Sequence, residues 1–107
     1  MTNTQTVDAY FDAMRNRNAE AVRALFTEDA ELINWLDTIT GVDAIVTFYR
    51  DRAFSVDDFR PEPGPLLTHG DLVAAELRVR VGGAWTHVAD FFTVKGGKIA
   101  RLVMYQR

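Results

Sequence analysis

The sequence predicts an α+β fold, with helices first and an antiparallel meander after them. Three observations point there. Apolar residues recur at helical spacing through the first half. Three long runs in the second half alternate and are rich in β-branched and aromatic residues. Gly82-Gly83 and Gly96-Gly97 sit between those runs, and Gly-Gly meets the positive φ that two-residue hairpins demand.

Taken in order, Val7, Tyr10, Phe11 and Met14 place a helix over about Thr4 to Arg17. Asn18 reads as the cap of a second helix, with Glu20 in its first turn and Val22, Leu25 and Phe26 turned inward. Ala30–Trp35 reads as a short strand. Thr40-Gly41-Val42-Asp43 resembles a capping box and opens a helix that buries Ile45, Phe48 and Tyr49. All the prolines lie in Arg60-Pro61-Glu62-Pro63-Gly64-Pro65, a loop or edge segment. Asp71–Val81, Ala84–Val94 and Lys98–Tyr105 are the strands of the meander. Long hairpins with glycine corners can curl, so the helices are expected to close one side of a half-open cone with a pocket inside.

Side-chain parity assigns faces. Thr86, Val88, Asp90 and Phe92 share one face of their strand, while Trp85, His87, Ala89 and Phe91 share the other. On the last strand Leu102, Met104 and Gln106 form one set, and Ile99, Arg101, Val103 and Tyr105 the other. Both sets carry apolar groups, so both sheet faces are expected to have a partner: the helical layer on one, a second subunit on the other.

The 107 residues amount to a single domain, 1–107. Apolar residues are 48% and charged residues 25%, an ordinary globular balance. A net charge of −3 argues against a general nucleic-acid binder. The absence of cysteine excludes disulfides, thiolate chemistry and cysteine-ligated zinc. The opening residues carry no signal-peptide pattern and no apolar run is long enough to span a membrane, so a cytoplasmic protein is expected.

The chemistry concentrates on Asp90. Its segment, Val88-Ala89-Asp90-Phe91-Phe92-Thr93-Val94, otherwise reads as a fully buried strand. Apolar surroundings disfavour a carboxylate, so this acid should titrate late and act as a donor. Tyr10 and Tyr49 also donate. If the three converge, they form a donor cluster in an apolar cavity. The plainer readings are an acid that fixes helix to sheet and two tyrosines of an ordinary core stripe. Asn34 shares its strand face with Leu32 and Leu36, which leans it inward. Trp35, Phe54, Phe59 and Trp85 are candidates for the mouth, with Phe54 and Phe59 on a lid. His87 lies three residues from Asp90, hence on the opposite face. No phosphate loop, paired nucleophile or metal-ligand spacing is present.

Several stretches resemble the nuclear-transport-factor-2-like superfamily. They are Tyr10-Phe11-Asp12-Ala13-Met14, Ala21–Ala30, Gly41-Val42-Asp43-Ala44-Ile45 with Phe48-Tyr49, and Asp90-Phe91-Phe92-Thr93-Val94 with Gly97-Lys98-Ile99. That group includes ketosteroid isomerases, SnoaL-type polyketide cyclases and limonene epoxide hydrolase. The resemblance implies a cystatin-like curled antiparallel sheet with N-terminal helices forming a cone-shaped pocket. A homodimer is expected, with no cofactor and no metal. Tyr10 is similar in position to the isomerase's oxyanion-hole tyrosine, Tyr49 to the tyrosine that supports it, and Asp90 to its protonated aspartic acid. The place of the isomerase's base holds Asn34, and an amide cannot abstract a proton. In the cyclases an acid placed like Asp90 acts directly as acid or base; in the epoxide hydrolase an asparagine of this strand helps hold a water.

The expectation is a pocket for a small apolar organic molecule, serving cofactor-free proton transfer of an isomerase or aldol-cyclase kind. The alternatives are a non-catalytic ligand-binding or dimerisation module, and water addition of the epoxide-hydrolase type. Asp90, Tyr10 and Tyr49 are the candidate catalytic groups. Asn34, Trp35, Met14, Phe26 and Phe48 are candidate substrate contacts, as are Phe54, Val88, Phe92, Leu102 and Met104. A pocket packed shut by Phe26, Phe48 and Met104 would leave only a structural role.

Overall fold

A computed structural model describes residues 1–107. Helix α1 spans Asn3–Arg15 and α2 spans Ala19–Leu25. They are followed by β1 (Phe26–Ile33), β2 (Thr38–Thr40) and α3 (Val42–Phe48), which widens into a π-helical turn over Tyr49–Ala53. The rest is β3 (Arg60–Pro63), β4 (Leu67–His69), β5 (Leu72–Val81), β6 (Ala84–Lys95) and β7 (Lys98–Gln106). The fold is α+β, as expected. No helix is long and apolar enough to cross a membrane.

Local chemistry explains the helix starts. Thr2 accepts from the Gln5 backbone N–H at 3.1 Å, and the Gln5 side chain accepts from the Thr2 N–H at 2.9 Å. This capping box satisfies two donors that a helix start leaves orphaned. Asn18 caps α2 through a bond from the Ala21 N–H at 3.1 Å. The box expected at Thr40 does not form: Gly41 holds the cap position at φ 93° and no side chain caps α3. That positive φ suits a glycine.

Seven strands form one open, curled sheet in the order β2-β1-β7-β6-β5-β3, with β4 also on β5. The sheet is mixed rather than antiparallel throughout, because β1 runs parallel to β7. A parallel pair needs a long crossover, and residues 34–97 supply one. Strand β1 begins at Phe26, which the helical pattern had assigned to α2. Ala100 is an extra residue in β7: Thr93 pairs with Arg101, yet Val94 pairs with Ile99. This bulge resets the alternation. Ile99 therefore turns inward with Leu102, both fully buried, although simple parity put them on opposite faces.

The helices cover the concave face. Val7, Tyr10, Phe11 and Met14 of α1 join Leu32, Phe92 and Leu102 in one buried cluster. Each large apolar side chain so buried contributes about 1.5–3 kcal/mol. Polar bonds fix the start of α1. The buried Thr6 hydroxyl donates to the Gly97 carbonyl at 3.0 Å, and the Asn3 amide to that of Gly70 at 3.2 Å. Helix α1 is thereby docked on two hairpin turns with its Tyr10 face over the sheet.

Candidate functional site

Between α1, the π-helical turn and the concave sheet lies a cavity of about 340 Å³. That is at the small end for organic ligands. Tyr10, Tyr49 and Asp90 all line it, amid a wall that is mostly apolar. Its deep part is formed by buried groups, among them Phe11, Met14 and Val88. Its rim carries the exposed Trp35, Leu36 and Val81.

Asp90 reaches the cavity because β6 alternates without interruption through Thr86, Val88 and Asp90. Its neighbours across the sheet are Ala75 and Met104. It is 2% exposed. Its Oδ1 is buried with no hydrogen-bond partner. Burial pushes its pKa from 3.8 up to about 7. No cation offsets the lost hydration, so the neutral form is favoured.

The two tyrosine hydroxyls bond each other. Such a pair uses one hydrogen internally and leaves one free to donate. Both pKa values are raised. For Tyr10 burial is the main cause, followed by the charges of Tyr49 and Asp90. For Tyr49 burial again dominates, opposed by the bond from Tyr10. Both therefore remain donors at any physiological pH. The Tyr10 ring is held edge-on by Phe11 and Phe92, each with ring centres 5.1 Å away. Tyr49 stacks on Phe54 at 5.9 Å. Neither hydroxyl can swing away without disturbing this aromatic cluster.

The π-helical turn sets the third wall. The Phe54 N–H donates to the Tyr49 carbonyl at 2.7 Å, a five-residue step. Such wide turns are frequent at functional sites. Here it brings Phe48, Tyr49, Arg52 and Ala53 to the cavity together. The segment after it is clasped by Arg17. Its guanidinium donates to the carbonyls of Phe54, Val56, Asp57 and Phe59 at 2.6–3.2 Å. The stretch read as a lid is thus tied down.

Of the other expected contacts, Met14, Trp35, Phe48, Val88 and Met104 line the cavity. Phe26, Phe92 and Leu102 lie in the core instead. Phe54 packs behind Tyr49 and does not line the cavity. Trp85 is on the outer face, with the Arg78 guanidinium 4.1 Å from its ring centre. Asn34 is not in the wall either. It lies just past β1, and its Oδ1 accepts the N–H groups of Leu36 and Asp37, both at 2.8 Å. This local Asx-turn takes the acceptor that the strand reading had aimed inward. Asp37 is exposed in the same turn.

Sequence reasoning missed Phe11, Leu36, Arg52, Ala53, Pro61, Val79, Val81 and Thr86 as wall residues. Arg52 carried a signal: it follows Ile45, Phe48 and Tyr49 at helical spacing. Val79 and Thr86 are cross-strand partners, so parity on β5 and β6 together would have found both.

A Cytophaga hutchinsonii NTF2-like protein of unknown function superposes with a TM-score of 0.89 at 14% identity, covering 100% of this chain and 91% of that one. A candidate ketosteroid isomerase from Kribbella flavida gives 0.89 at 21% identity, with 98% and 77% covered. A candidate polyketide cyclase from Sinorhizobium meliloti gives 0.85 at 27% identity, with 94% and 93% covered. The fold is thus nuclear-transport-factor-2-like. No curated protein matches in sequence. The profile of the SnoaL-like domain matches residues 7–102, nearly the whole chain. The chain belongs to the SnoaL-like domain family.

Proposed function

We propose that the cavity binds a small apolar molecule through a carbonyl or enol oxygen and moves a proton on it without a cofactor. The observation that carries this reading is Asp90, a buried acid with an unpartnered Oδ1 beside a tyrosine hydroxyl pair in an apolar cavity. In its ionised form Asp90 takes a proton from the carbon next to the carbonyl. The electron pair moves onto the carbonyl oxygen, which accepts the free tyrosine hydrogen. In isomerisation the acid returns the proton to another carbon. In aldol cyclisation the enolate carbon attacks a second carbonyl, and the proton goes to the alkoxide formed. A pKa of about 7 suits both directions at neutral pH. Donors fixed where enolate charge develops lower the barrier by several kcal/mol. The likeness to a candidate polyketide cyclase supports the aldol branch.

The test is deuterium exchange at the α-carbon of bicyclic aromatic ketones, followed by NMR. Wild type should exceed Asp90→Asn by about 10²–10⁴-fold, the usual range for a positioned acid–base group. Equal rates in the two proteins, with the ketone still bound in the cavity, would leave only the non-catalytic binding module. The epoxide-hydrolase alternative relied on an asparagine that holds a water, and Asn34 spends its acceptor on its own turn.

We assign the convex face to a second copy of this chain. Strand register lines up Leu67, Ala74, Phe91, Val103 and Ile33 across five strands. Leu67 is 70% exposed and Phe91 44%. A contiguous apolar stripe of this kind marks an interaction surface. Sedimentation should find a dimer that Phe91→Glu dissociates; a monomeric wild type would end the assignment.

A further inference from the structure

Arg52 is the only cation in the cavity wall. The remaining polar groups there are Thr86, the two tyrosines and Asp90. Arg52 is exposed and belongs to the rim, while Asp90 and the tyrosine pair are buried. Most other arginines are spoken for. Arg15, Arg23, Arg50, Arg60, Arg78 and Arg80 pair with carboxylates, and Arg17 is spent on four carbonyls. Arg52 forms no ion pair, although Asp51 beside it pairs with Arg50. An unpaired arginine on open surface is unremarkable. One that closes an apolar cavity, three residues after a tyrosine at its floor, is not.

The wall therefore has two polar ends separated by apolar side chains. The deep end offers hydrogen-bond donors to an oxygen. The rim offers a planar, permanently charged fork that matches a carboxylate. We propose that the ligand is an apolar organic acid, its ring system against the aromatic wall, its carbonyl or phenolic oxygen at the Tyr10–Tyr49 pair beside Asp90, and its carboxylate on Arg52. This deepens the proposed function and rests on it. The Arg52 stem adds apolar cover to the ring system, as long charged side chains do. Its head group stays in water, so its contribution is to selectivity more than to raw affinity.

The probe pair is 6-hydroxy-2-naphthoic acid and its methyl ester, which share ring and phenol and differ in charge. Fluorescence titration against wild type should favour the acid by roughly fivefold, the worth of a partly exposed ion pair. Added salt should erode that preference. Arg52→Met keeps most of the stem and removes the charge; it should bring acid and ester to equal affinity. Ester binding to wild type with no preference for the acid overturns the inference while the apolar-pocket reading stands. A preference that survives in Arg52→Met also overturns it, because some other group then reads the carboxylate. Binding of neither probe overturns both readings.

Discussion

Replacing Asp90 with asparagine tests the central physical claim, because the two side chains have nearly the same shape and only one titrates. The folded protein holds Asp90 at about 7, against 3.8 for the free side chain. Well below pH 4 the acid is protonated in folded and unfolded chains alike, and Asp90 costs the fold no ionisation energy. Between pH 4 and 7 the unfolded chain gives up the proton while the fold keeps it. The fold then binds more protons, so stability falls as pH rises. The slope is about 1.4 kcal/mol per pH unit, and the loss levels off above pH 7 at roughly 4 kcal/mol. This is a large share of the 5–15 kcal/mol typical of a small domain. Asp90→Asn cannot ionise and escapes that loss. Urea unfolding of both proteins from pH 4.5 to 8 reads the effect, with Trp35 and Trp85 as fluorophores. The difference between the proteins cancels groups that titrate in both, such as Asp58, whose carboxylate is held low by the Gly83 and Gly82 N–H groups. The asparagine variant should gain on wild type steadily up to pH 7. A difference that stays constant across this range would mean that Asp90 is ionised and solvated throughout, and the argument from burial would be wrong.

The other predictions concern the walls. Asn34→Asp should give no new proton-transfer activity in the α-carbon exchange assay, because a carboxylate there takes over the bonds to Leu36 and Asp37 and stays out of the cavity. Arg17→Lys should destabilise the fold by about 2 kcal/mol in urea unfolding, since an ammonium cannot span the four carbonyls the guanidinium now serves. Proteolysis should then cut first between Phe54 and Phe59. Tyr49→Phe should cost about 1–2 kcal/mol, the penalty of leaving the buried Tyr10 hydroxyl unpaired. It should also weaken phenol binding measured by titration.

What the sequence revealed and what it hid follow from the range of the forces involved. The Tyr10 face of α1 and the Asp90 face of β6 were legible because each needs only an unbroken period, 3.6 or 2 residues, over a dozen positions. Asn18 was legible because capping is local. The misses occur where one residue breaks a period. Ala100 is an inserted residue whose presence depends on the register of β6, and nothing in its own chemistry announces a bulge. Asn34 was read by strand parity, but its side chain found two backbone N–H groups in the turn, and that local bond outweighed the alternation of β1. The turn at Tyr49–Ala53 widens by one residue, which helical period cannot foresee. Asp90 was legible for the opposite reason. A strand that is apolar on both sides of an acid conflicts with itself, and the fold bears the cost of that conflict in stability at neutral pH. Such local contradictions mark places where stability has been given up for something else. The unpartnered Oδ1, in a cavity closed by tyrosines at one end and an unpaired arginine at the other, is the group that the proposed proton transfer would use.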